Sequence, residues 1–81
     1  MEILKRANRW AAEHPIEFAA IQMAINTMIA LIMGGHPTRS TTYVMGEIAK
    51  ISKEHNVPKA YVKVWVKQEL SERGIRYVHL E

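Results

Sequence analysis

Lys59, Lys63 and Lys67 recur at intervals of four in the stretch NVPKAYVKVWVKQEL, residues 56–70, with no acidic residue between them. On an α-helix each such interval advances the wheel about 40° past a full turn, so the three ammonium groups form one slanting ridge. Like charges at this spacing mildly destabilise a helix, whereas a mixed Glu–Lys face stabilises it. A row of phosphates would offset that repulsion. The plainer use of the same lysines is a solvated face. Lys50, Lys53 and Arg39 are placed to reach flanking phosphates. Gln68 is the side chain near the ridge best suited to a base edge, and Arg73 and Arg76 extend the basic surface toward the C-terminus.

Other chemistry finds little support. His14, His36, His55 and His79 do not pair with one another, with Glu or with Cys at metal-ligand spacing, so no metal site is expected. The stretch GGHPTRST lacks the Gly-Lys-Ser/Thr ending of a phosphate loop and follows a helical pattern rather than a strand. Ser40, Ser52 and Ser71 have no nucleophile context, and Glu69 and Glu72 read as surface residues at a helix end. Neither an enzyme nor a cofactor is expected.

The bulk composition agrees with a binding protein. The chain has 81 residues, a net charge of +3, no Cys and no Asp. That length means one domain, residues 1–81, small enough to gain from a partner or from self-association. Without Cys there is no disulfide or thiolate site, which fits a cytoplasmic protein. Without Asp there is no Asp-containing catalytic triad and no usual calcium loop. The N-terminal stretch is amphipathic and lacks the charged-then-apolar form of a secretory signal. Mild basicity permits nucleic acid or an acidic protein surface as partner.

The elements that must carry these residues are mainly helical. Ile3, Leu4, Ala7, Trp10 and Ala11 recur at helical spacing and predict a helix over about 2–13. Pro15 suits the first turn of a second helix, about 15–33, which stops at Gly34-Gly35. Ser40 or Thr41 caps a third, about 41–55, with Val44, Met45, Ile48 and Ile51 on one stripe. Asn56 breaks it, and Pro58 opens a fourth helix, about 58–73. The alternation in residues 75–80 predicts a short C-terminal β-strand. The expected fold is thus a mainly α bundle of four helices with one terminal strand.

The second helix is apolar almost all round, as in a buried core helix or an oligomer interface. Its apolar run from Phe18 to Met33 is interrupted by Gln22, Asn26 and Thr27 and falls short of the roughly 20 residues of a span, so no membrane insertion is expected. Met23 and Met28 are candidate interface residues, because flexible thioethers suit cores and partner surfaces alike. A lone strand leaves both edges unpaired, so Ile75 and Tyr77 are candidates too, pairing with a second copy or a partner's sheet. A homo-oligomer is expected.

Two helices joined by a tight turn, the second bearing the outward polar ridge, make a helix-turn-helix layout. Residues 51–67 resemble the helix-turn-helix DNA-binding superfamily. Ile51 and Ser52 match its apolar and small residues in the first helix. Asn56 and Val57 match the turn residue and the apolar residue after it, and Val62 and Trp65 match the anchors of the second helix. Two positions depart from the pattern: His55 stands where the family has a buried Leu, and Lys59, Ala60 and Lys63 stand where it favours base-reading side chains. The resemblance implies binding of duplex DNA through phosphates more than through base edges.

Two functions are therefore expected to compete. One is a small dimeric nucleic-acid-binding regulator. The other, by analogy of size and composition, is a small adaptor or inhibitor of the phage or mobile-element kind that docks on a larger protein. Scattered cations around an exposed apolar patch would favour the second.

Overall fold

Pro15 cannot continue the helix before it, and the residue ahead of a proline is pushed out of the helical region. His14 accordingly sits at φ −132°, ψ 60°, and the chain turns there. In the computed structural model, which describes residues 2–35 and 40–80, four helices follow in order. They are α1 (Glu2–Glu13), α2 (Pro15–Met33), α3 (Ser40–His55) and α4 (Lys59–Glu72). Each expected boundary lies within one residue of these. Arg39 lies outside the described residues.

Both later helices end on a left-handed residue. Asn56, at φ 51°, closes α3, and the Val57 amide donates to the Ser52 carbonyl at 3.1 Å. Gly74, at φ 69°, follows α4, and the Ile75 amide donates to the Leu70 carbonyl at 2.9 Å. This six-to-one hydrogen bond marks a Schellman ending, which brings the apolar residue after the turn back onto its helix. Val57 is buried, and Ile75 is packed against the core.

The core is built from one stripe of each helix. Ile21, Ile25, Met28, Ile29 and Ile32 of α2 meet Val44, Ile48 and Ile51 of α3 and Val62, Trp65, Val66 and Leu70 of α4. α4 packs between α1 and α3, while α2 packs on α1 and α3. Trp65 joins three helices. Its ring lies 4.9 Å from Phe18 in an edge-to-face contact and 6.0 Å from Trp10. The His14 ring stacks on Trp10 at 4.3 Å.

The expected C-terminal strand is not formed. Among the described residues no strand is present, and residues 75–80 run without regular secondary structure, with a bend at Tyr77, against the helices. The reason is the absence of a neighbouring strand to complete a ladder. The tail's polar groups go elsewhere: the Ile75 amide to Leu70, the Tyr77 hydroxyl to the Ile32 carbonyl at 3.4 Å, and the His79 amide to Thr41 Oγ1 at 3.5 Å. Val78 is buried and Leu80 partly so.

Candidate nucleic-acid interface

The side of α4 that faces the core carries Val62, Trp65, Val66 and Leu70, which leaves the lysines on the flank. Lys59 and Lys67 are exposed, as is Gln68, whereas Lys63 is half-buried. On α3, Lys50 and Lys53 are both exposed. Among the described residues none of these five lysines takes part in an ion pair or hydrogen bond. Two other cations are paired, Arg6 with Glu2 at 2.7 Å and Arg73 with Glu69 at 3.4 Å, and the His55 ring meets the Glu17 carboxylate at 2.9 Å.

The corner between α3 and α4 positions the ridge. Ser52 Oγ donates to the Val57 carbonyl at 2.6 Å while the Val57 amide donates back to Ser52, so the two sides of the turn are tied twice. A bulkier residue at 52 would displace the buried Val57. His55 does not occupy a buried apolar position. It reaches instead to Glu17 in the first turn of α2 and pins the end of α3 to that helix.

Arg73 is not a free extension of the basic surface. Besides Glu69 it donates through Nη2 to Asn26 Oδ1 at 3.3 Å, which couples the end of α4 to α2. Arg76 is exposed.

The candidate interface residues separate. Met23 is 71% exposed, but Met28 is only 1% exposed and belongs to the chain's own core. On a helix wheel the two lie about 140° apart, and the core takes Met28's side. Ile75 is partly buried as the residue after the Gly74 turn, and Tyr77 keeps an exposed ring with its hydroxyl held by Ile32.

A groove of about 690 Å³ runs between α1 and α4, and nothing in the residue pattern singled it out. Ile3, Leu4, Ala60 and Val64 give it an apolar lining, and Lys63, Lys67, Gln68, Ser71 and Glu72 contribute its polar atoms. The missed signal was Val64. It lies on the side of α4 opposite the core stripe, half-buried in the groove lined by Ile3 and Leu4 of α1. Lys63 and Lys67 of the ridge thus border an apolar trough. Compared with protein-family models, curated proteins and solved structures, the chain matches none.

Proposed function

We propose that this protein binds duplex nucleic acid through phosphates, as a small regulator, with the Lys59–Lys63–Lys67 ridge as its principal contact and Lys50 and Lys53 as flanking ones. The observation that carries this reading is the row of lysines without acidic partners among the described residues. Repulsion along α4 is unrelieved among the described residues, and an external polyanion relieves it. The doubly tied α3–α4 corner supports the reading, because a helix presented to a duplex must be held at a fixed angle. Lysines contact phosphates as point charges, so binding is expected with little base preference, and Gln68 is the one exposed amide beside the ridge. The test is the variant Lys59→Glu/Lys63→Glu/Lys67→Glu. It should lose duplex binding while keeping wild-type helicity; binding that persists unchanged refutes the assignment.

The α1–α4 groove favours a second reading, a module that captures an acidic amphipathic segment of another protein. Val64→Arg separates the two. It fills the apolar trough and adds a cation, so phosphate binding would survive or strengthen, whereas groove docking would be lost.

A further inference from the structure

The side of α2 that points away from the core is apolar and uncovered. Ile16 is 85% exposed and Met23 71%, with Ala19, Ala20, Thr27 and Ala30 exposed between and beyond them. On the wheel, Ile16, Met23 and Ala30 fall within about 40° of one another, at seven-residue spacing. Glu17 and Asn26 lie at the edges of this face, and Thr27 on it is tied to its own helix. Glu17 is held by His55, Asn26 by Arg73, and the Thr27 hydroxyl donates to its own helix at the Met23 carbonyl, 2.9 Å away. The face therefore offers methyl and methylene groups with no unpaired charge.

We propose that this face docks on the same face of a second copy, with the two α2 helices antiparallel about a twofold axis at Met23. In that register Met23 meets Met23 of the copy. Ile16 shares a layer with Ala30, a large side chain against a small one, and Ala19 shares one with Thr27. A parallel register would place Ile16 against Ile16 and Ala30 against Ala30, crowding one end and leaving a void at the other. A bilayer is the poorer occupant. Interfacial helices flank their apolar side with Lys and Arg, and α2 has neither. Pairing over about four turns buries on the order of 1,000 Å² in total, the low end for a specific interface, so the dimer forms in a concentration-dependent way. The dimer does not depend on what the lysine ridge binds.

The experiment is sedimentation velocity on the full chain without nucleic acid, from micromolar to near-millimolar concentration. Wild type should shift from monomer to dimer. Met23→Glu should stay monomeric at every concentration with unchanged helicity, since Met23 is not part of the core, and Ala30→Glu should behave alike. The absence of native Cys makes single-cysteine variants clean probes of register. Met23→Cys should cross-link to itself. Ile16→Cys should cross-link to Ala30→Cys in a mixture but poorly to itself. A monomer at all concentrations, a dimer indifferent to Met23→Glu, efficient Ile16→Cys self-linking, or a monomer that binds phospholipid vesicles through α2 would each overturn the proposal.

Discussion

Substituting Asn56 isolates the backbone demand at the corner that aims α4. Asn56 sits at φ 51°, and its side chain is exposed with no hydrogen bond among the described residues. Truncation to Ala therefore removes no packing and no polar contact. What changes is the ease of the left-handed conformation. That conformation costs an ordinary L-residue roughly 1–2 kcal/mol, less for Asn and nothing for Gly. Asn56→Ala should lose about 1 kcal/mol. Asn56→Gly should lie within about 0.5 kcal/mol of wild type, because its easier backbone is offset by the greater freedom of Gly in the unfolded chain. Asn56→Val should lose about 2 kcal/mol, since a β-branched residue is poorest there. In a domain this small 1 kcal/mol moves Tm by roughly 4–8 °C. Thermal and urea unfolding followed by helical circular dichroism read these differences. The expected order is Gly close to Asn, then Ala, then Val. Equal stability of the Ala and Gly variants would refute the argument that a left-handed residue closes α3.

Three further outcomes follow from the packing. Ile25→Ala deletes a fully buried side chain at the middle of α2 and should cost about 2–5 kcal/mol, a large share of the stability of so small a domain, as urea unfolding will report. Ser52→Ala removes the 2.6 Å bond to the Val57 carbonyl and should cost about 0.5–1.5 kcal/mol in the same assay. Partial burial and, secondarily, the neighbouring Glu47 carboxylate push the Tyr43 hydroxyl above its ordinary value of 10.0. A group with a raised folded-state pKa is neutral in both states below its unfolded value, so its contribution is complete there and declines only as pH rises past 10. Tyr43→Phe should reduce the fall in Tm above pH 10 and leave its pH dependence below pH 9 unchanged.

Helix positions were legible because their signals are local. Pro15, the Gly34-Gly35 stop and Asn56 act through a few backbone angles, and those angles are the same whatever packs around them. The Lys59–Lys63–Lys67 ridge was legible for the same reason, since spacing on one helix needs no tertiary knowledge. Residues 75–80 show the opposite case. Alternating β-formers make a strand only beside another strand, and here the Gly74 turn returns Ile75 to α4 while Tyr77 and His79 are tied to Ile32 and Thr41. Met28 was grouped with Met23 by residue type, whereas their angular positions send one inward and one outward. The α1–α4 groove was not legible because it belongs to neither helix alone. Only the packing of α1 along α4 places Ile3 and Leu4 beside Val64.

The central claim is that unpaired lysines meet phosphates, and the salt dependence of binding to generic duplex DNA tests it most directly. Counterion release lowers log affinity by about 0.9 per phosphate contact for each unit of log salt. Contacts from the three ridge lysines, with Lys50 and Lys53 added, predict a slope between about −3 and −5, and each single change among Lys59, Lys63 and Lys67 to Ala should flatten it by about 1. No binding at low salt, or binding whose slope is unmoved by those substitutions, would contradict the account.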